Sequence, residues 1–136
     1  MPRANVAAAL LSVAGVAISI YLTALHFAGV VPACPVSGVF NCDAVLGSKY
    51  AVLAGTSIPT SALGIVWFAV SAALWTLGWK RSIYGWSGAG LAFVTFLVFI
   101  EVVLVGAVCL WCTAAHVLVL ALFLIALNTW QRERVV

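Results

Sequence analysis

The segment Gly106-Ala107-Val108-Cys109-Leu110-Trp111-Cys112 decides how this chain folds. It interrupts an almost continuously apolar sequence that runs from residue 86 to residue 130. As a single helix, that sequence would be roughly 67 Å long, about twice the thickness of a bilayer's hydrocarbon core. The chain must therefore fold back, and residues 106–109 are its weakest helical point. We expect the reversal to place Cys109 and Cys112 at the start of a new helix, close to a membrane surface.

The composition indicates an integral membrane protein. Of the 136 residues, 66% are hydrophobic and only 7% are charged, which is too apolar for a soluble domain of this size. A spanning helix needs roughly 20 apolar residues. Runs near that length occur at about 6–31, 58–79, 86–108 and 110–130. We therefore predict one domain over residues 1–136, an all-α bundle of four transmembrane helices.

The basic residues indicate how the chain is oriented. The net charge of +3 is scattered over segment ends, so it indicates topology and not a nucleic-acid-binding surface. Lys49 lies in the first long loop, whereas the other basic residues flank the opposite ends of the spans: Arg3, Lys80, Arg81, Arg132 and Arg134. Because cytoplasmic loops carry an excess of Lys and Arg, we predict cytoplasmic termini in the inner membrane. The cysteines then face the outer, oxidising side.

The first long loop contains a short amphipathic segment. Between residues 42 and 53, apolar residues alternate irregularly with Asp43, Ser48 and Lys49. This pattern predicts a half-helix lying in the membrane interface on the outer side. In the spans, Asn5 is predicted to cap the first helix, and three glycines are predicted to permit close helix approach in the third span. Those glycines are Gly85, Gly88 and Gly90.

Four cysteines form two pairs with different spacings. Cys34 and Cys42 lie in the first loop, and Cys109 and Cys112 form a Cys-x-x-Cys motif. A zinc site of four cysteines usually draws on two closely spaced pairs, which the loop pair does not match, so we predict no metal site. Thr113 follows the motif where covalent haem attachment requires histidine. Redox chemistry is the favoured interpretation.

A Cys-x-x-Cys at a helix N-terminus is a good electron donor, because the backbone N–H groups and the helix dipole favour the thiolate. A lipid-soluble quinone can reach such a dithiol from the membrane. The loop pair can exchange disulfides with a soluble partner and with the motif pair, which together would form a relay. The alternative is two static structural disulfides, although the bilayer itself already enforces helix formation.

The combination of these features resembles the vitamin K epoxide reductase family in its bacterial form. The shared features are four short spans, loop cysteines separated by seven residues, Ser48 six positions after Cys42, Ile58-Pro59…Gly64 opening the second span, and the motif opening the fourth. The resemblance covers nearly the whole chain. It implies a membrane thiol:quinone oxidoreductase that supports disulfide-bond formation. Electrons would enter at Cys34, Cys42 would attack Cys109, and Cys112 would face menaquinone or ubiquinone.

The resemblance also implies a redox partner and a quinone pocket. Many bacterial members carry a fused thioredoxin-like domain after the fourth helix; the sequence stops at Val136, so we expect a separate thioredoxin-like thiol oxidase. Four polar residues are candidate quinone contacts: Ser48, Ser61, His116 and Glu101. His116 stands where animal members have a substrate-binding tyrosine, which weakens the case for vitamin K epoxide as substrate.

Two of these candidates have alternative interpretations. His116 either donates to a quinone carbonyl or bonds a neighbouring helix. A carboxylate inside a span costs roughly 2.5–3.5 kcal/mol on insertion scales, so Glu101 either delivers protons to the pocket or makes a buried bond between helices.

Other functions remain to be compared with the quinone-linked oxidase. A small four-helix cation transporter would use Glu101 and need no cysteines. A DsbB-type oxidase would carry the Cys-x-x-Cys in its first outer loop and the wider pair in its second, the reverse of the order here. A structural assembly subunit would contain an inert loop disulfide.

Overall fold

Four long helices form the protein. The computed structural model describes residues 2–34, 38, 40–53 and 55–135. The elements in chain order are α1 (Arg3–Ala28), α2 (Cys42–Leu46), a short 3₁₀ turn (Lys49–Ala51), α3 (Thr60–Leu77), α4 (Lys80–Phe99) with a wider π-helical extension (Ile100–Val105), and α5 (Leu110–Val135). The helices α1, α3, α4 with its extension, and α5 are each long and apolar enough to cross a membrane. The predicted all-α membrane bundle is confirmed.

Glycines end the first two spans earlier than predicted. The first helix stops at Ala28 and not at residue 31, because Gly29 adopts a left-handed backbone with φ of 68°. The second span begins at Thr60, after Pro59, and stops at Leu77, where Gly78 has a φ of 70°. Left-handed backbone is accessible to glycine without the steric cost that other residues incur, and it ends a helix.

The limits of the last two spans also differ from prediction. The third span starts at Lys80 and not at residue 86, because Gly78 and Trp79 suffice to reverse the chain. It ends at Val105 and not at residue 108. The fourth span continues beyond residue 130 to Val135.

Local structure differs from the sequence predictions at two places. The half-helix expected over residues 42–53 is present as α2, which is shorter than expected and is followed by the 3₁₀ turn. Asn41 caps α2, its side-chain oxygen accepting from the Ala44 N–H at 3.1 Å. Asn5 does not cap α1, which begins after Pro2. Asn5 is buried, and its side-chain amide donates to the Trp75 carbonyl at 3.4 Å, so it joins the start of α1 to the end of α3.

The two ends of the bundle are held by different contacts. At one end, Lys80 at the start of α4 pairs with Glu133 near the end of α5. At the other end, the hydroxyls of Thr23 on α1 and Ser61 on α3 hydrogen-bond at 2.8 Å. Between these ends lies an apolar core of Ala8, Phe68, Trp75, Ile83, Val119, Leu122 and Ala126. The five basic residues used to predict orientation all lie in the elements or turns at the Lys80 end.

Helices approach closely at Gly15, which was not predicted, and at Gly90, which was. A Cβ on Gly15 would overlap the ring of buried Phe68, and one on Gly90 would overlap the Trp67 indole. Gly85 and Gly88 face open space, so the prediction of close approach is wrong for both and correct for Gly90.

Replacing Gly15 with alanine should lower stability. The added methyl group forces the buried Phe68 ring to move, and overpacking of this kind typically costs about 1–3 kcal/mol. The matched control is Gly85→Ala, whose methyl group meets nothing within 4 Å. Thermal unfolding in detergent measures both. A melting temperature for Gly15→Ala that equals that of the control would contradict the α1–α3 packing described here.

Candidate redox site and cavity

The chain reversal after α4 positions the Cys-x-x-Cys motif. Gly106 has a φ of 74°, and the N–H groups of Gly106 and Ala107 donate to the Glu101 carbonyl at 2.9 and 3.1 Å. After this turn, α5 begins at Leu110. Cys109 therefore immediately precedes α5, and Cys112 lies in its first turn, as the sequence predicts.

The cysteines have two different redox states. Cys34 and Cys42 form a disulfide with a Cα–Cα distance of 6.2 Å. Cys109 and Cys112 are free thiols. Cys42 is buried at the start of α2, while Cys34 on the preceding loop is partly exposed. The loop pair thus contains one accessible and one buried sulfur.

All four cysteines lie in one apolar cluster. Its buried members are Cys42, Val45, Ala107 and Cys109, and residues packed against them include Cys34, Trp111 and Cys112. Two hydrogen bonds join the loop to the motif. The Asn41 N–H donates to the Val108 carbonyl at 3.0 Å, and the Trp111 indole N–H donates to the Ala33 carbonyl at 3.1 Å. Residues distant in the sequence are therefore held together at the cysteines.

The environment of Cys109 favours its thiolate. The Cys112 thiol donates a hydrogen bond to the Cys109 sulfur and lowers the pKa of Cys109 below its ordinary value. The Cys112 backbone N–H also donates to this sulfur, at 3.3 Å. Burial and the nearby Glu101 carboxyl oppose the shift without reversing it. As the pH falls through this lowered pKa, the thiolate fraction of Cys109 is lost.

A cavity of about 610 Å³ adjoins the cysteine cluster. Its lining is mostly apolar and comes from α1, α2, α3, α4 and α5. Cys112 lines this cavity, whereas Cys109 is fully buried beside it. Of the two motif thiols, Cys112 is therefore the one that a molecule in the cavity meets.

The four polar residues predicted to contact a quinone all line this cavity: Ser48, Ser61, His116 and Glu101. Ser48 also donates to the Val45 carbonyl at 2.7 Å, and Ser61 bonds Thr23. Glu101 is 6% exposed, and the Cys109 backbone N–H donates to its carboxyl group. The structure brings these four residues together around one space, and their contact with a quinone remains a prediction.

Sequence reasoning did not identify several residues of the site. Trp67 and Trp86 stack with ring centroids 6.1 Å apart and line the cavity. His26 also lines it. Trp111 contacts the loop through its indole N–H. The sequence shows only that an aromatic residue with an N–H donor lies between the two motif cysteines, and it does not identify the acceptor. In the described ranges, no three His, Cys, Asp or Glu side chains are grouped to hold a metal ion.

This arrangement defines a class of protein, the multi-pass membrane oxidoreductases. The sequence model of the Vitamin K epoxide reductase family matches residues 6–127, and the chain belongs to that family. Membership implies membrane redox chemistry involving thiols and a quinone. A search of curated proteins finds no match.

The effect of residue 112 on Cys109 can be measured in two matched variants. In Cys112→Ala and Cys112→Ser, Cys109 is the single free thiol, but only serine retains a side-chain donor for the Cys109 sulfur. We expect a lower pKa for Cys109 in the serine variant than in the alanine variant. Ultraviolet absorbance of the thiolate, followed against pH, gives both values. Equal values would show that the side-chain hydrogen bond does not determine the shift.

Proposed function

We propose that the protein reoxidises a thioredoxin-like protein outside the cytoplasm and passes the electrons to a membrane quinone. The observation that carries this proposal is the order of exposure along the four sulfurs. Cys34 is partly exposed on the loop, Cys42 and Cys109 are buried in one cluster, and Cys112 borders the cavity. The two accessible sulfurs thus lie at the ends of the series and the two buried ones in the middle.

The first half of the reaction takes place at the loop pair. A thiolate of the reduced partner attacks the Cys34 sulfur, which breaks the Cys34–Cys42 bond, forms a mixed disulfide and releases Cys42 as a thiolate. The partner's second thiol then displaces Cys34. The partner leaves with a disulfide, and the loop pair has gained two electrons and two protons as a dithiol.

The second half transfers these electrons to the motif. The Cys42 thiolate attacks the Cys109 sulfur of an oxidised motif, breaking the Cys109–Cys112 bond, and Cys34 then displaces Cys109 to restore the loop disulfide. The motif is now a dithiol. The structure has the same oxidation states, with a disulfide in the loop pair and two thiols in the motif pair. The motif disulfide re-forms when the pair gives up two electrons and two protons.

The cavity has the chemistry that a quinone requires. A quinone bound there would accept two electrons and two protons. The cavity is apolar with a few polar groups, as expected for a lipid-soluble ring. On the α3–α4 side, the wall residues Leu63, Val66 and Phe93 are 39%, 58% and 42% exposed, respectively, so accessible apolar surface adjoins the cavity there. An entering molecule would not need to leave the bilayer.

Orientation supports the same proposal. The excess of basic residues at the Lys80 end supports a cytoplasmic location for that end, because cytoplasmic segments carry more Lys and Arg. The cysteine cluster then lies at the outer surface, where a disulfide exchange partner and an oxidising environment are both available. We propose a separate thioredoxin-like protein as that partner, and either menaquinone or ubiquinone as acceptor.

Glu101 is proposed to carry protons released by the motif. Its carboxyl borders the cavity together with Cys112 and accepts from the Cys109 N–H. A carboxyl group in this place can receive a thiol proton and return it within the same enclosed space. His116, one helical turn beyond Cys112 and on the cavity wall, is proposed to donate to a carbonyl of the acceptor.

Alanine at either motif cysteine should abolish the reaction. In Cys109→Ala and Cys112→Ala, no motif disulfide can form, so oxidation of a reduced thioredoxin-like protein with quinone as acceptor should fall to the uncatalysed rate. Trp79→Phe, a change of an exposed residue at the opposite end, serves as the control and should retain activity. Purified alanine variants that still coupled partner oxidation to quinol formation would overturn the proposed function.

Glu101→Gln separates proton transfer from a structural hydrogen bond. Glutamine retains the size and the acceptor oxygen but cannot carry the proton, so turnover should fall by about 100-fold, within the range for a general acid or base. The measurement is quinol formation at saturating partner, with circular dichroism to verify the fold. Unchanged turnover would assign Glu101 to the bond between the turn and α4 alone.

A further inference from the structure

Two hydrogen bonds between the loop and the motif have related positions in the sequence. Asn41 precedes Cys42 and bonds Val108, which precedes Cys109. Ala33 precedes Cys34 and bonds Trp111, which precedes Cys112. The residue before each loop cysteine is therefore bound to the residue before one motif cysteine, so the loop disulfide is attached to the motif on both of its sides.

The two attachments have different chemistry. The contact between Asn41 and Val108 uses backbone atoms and adjoins a parallel bridge between Phe40 and Val108. It places Cys42 beside Cys109. The contact at Ala33 uses a side chain, the Trp111 indole N–H. The backbone contact holds the chain beside Cys42, and the indole contact adds a hydrogen bond beside Cys34, which also packs against the cysteine cluster.

Trp111 is itself held in place. Its ring lies 4.9 Å from the Tyr21 ring of α1, at an interplanar angle of 48°. A tryptophan has only two side-chain torsions, so little further entropy is lost when it binds the loop. Trp111 therefore joins α1, the loop and the start of α5. A tryptophan near a membrane surface commonly serves as an interfacial anchor, but here its polar atom is directed to a protein carbonyl.

We propose that Trp111 is a positioning residue that clamps the loop disulfide in the register in which Cys42 faces Cys109. The proposal rests on the proposed function, in which electrons cross between these two sulfurs. Trp111 takes no electrons or protons. It acts by raising the effective concentration of Cys42 at Cys109, because a flexible loop loses less entropy at exchange when its ends are already fixed.

The test uses a background in which a single exchange product can form. In Cys34→Ser/Cys112→Ser, the two remaining cysteines are Cys42 and Cys109, and equilibration with glutathione gives their effective concentration directly. Adding Trp111→Phe retains an aromatic ring against Tyr21 but removes the donor to Ala33. We expect the effective concentration to fall about threefold, a loss within the range for one net hydrogen bond whose groups are exposed to solvent.

A closer isostere separates the hydrogen bond from packing. Benzothienylalanine at position 111 retains the fused ring and replaces only the N–H group with sulfur, so it should lower the effective concentration as Trp111→Phe does. Trp79→Phe in the same background is the control and should change nothing. A normal value with the isostere would overturn the clamp, as would failure of Cys42 and Cys109 to pair in the background itself.

This measurement needs neither quinone nor partner, so its outcome is independent of the proposed overall reaction. If Cys42 and Cys109 pair readily and the isostere weakens the pairing, the positioning role of Trp111 is supported even if the protein does not reduce quinone. If quinone reduction is present and the isostere has no effect, only the clamp fails.

Discussion

A membrane-spanning backbone must satisfy its own hydrogen bonds, and the rest of this structure depends on how that is achieved where α4 ends. The Glu101 carbonyl accepts from both Gly106 and Ala107, which closes the π-helical extension and pairs the first two N–H groups after it. The same residue directs its side chain to the cavity. Its backbone thus ends one span while its carboxyl stands beside the thiols that begin the next.

The sequence predicts the architecture well because the bilayer imposes a length and a polarity on each span. Four apolar runs, the reversal at residues 106–109 and the neighbouring motif follow from these constraints alone. The span limits do not follow, because a glycine in an apolar run can either end a helix or lie within one at a close contact. Gly29 and Gly78 end helices in the left-handed conformation, whereas Gly15 and Gly90 lie within helices against aromatic rings.

The site was predictable in its sulfur chemistry and less so in its supporting contacts. Cysteine spacing identifies the two pairs, and the position of Cys112 in the first turn of α5 agrees with its place on the cavity wall. The contact of Trp111 with Ala33 spans 78 residues of sequence, and no local pattern reports it. Asn5 shows the same limit, since a residue type suited to a helix cap instead bonds a helix 70 residues away. Contacts of this kind arise from the tertiary arrangement.

The unequal lengths of α1 and α3 have a consequence for the end of the bundle that carries the cysteines. With 26 and 18 residues, they are about 39 and 27 Å long, and they are aligned near the Lys80 end by Asn5 and Trp75. At the end of the bundle away from Lys80, α3 therefore falls short of α1. Residues 47–53 and 55–59, which precede α3, contain the 3₁₀ turn and a hydrogen bond from the Leu53 N–H to the Ile58 carbonyl. Five residues of these segments line the cavity, so part of its wall is irregular chain where a longer α3 would have supplied helix: Gly47, Ser48, Tyr50, Ala51 and Pro59.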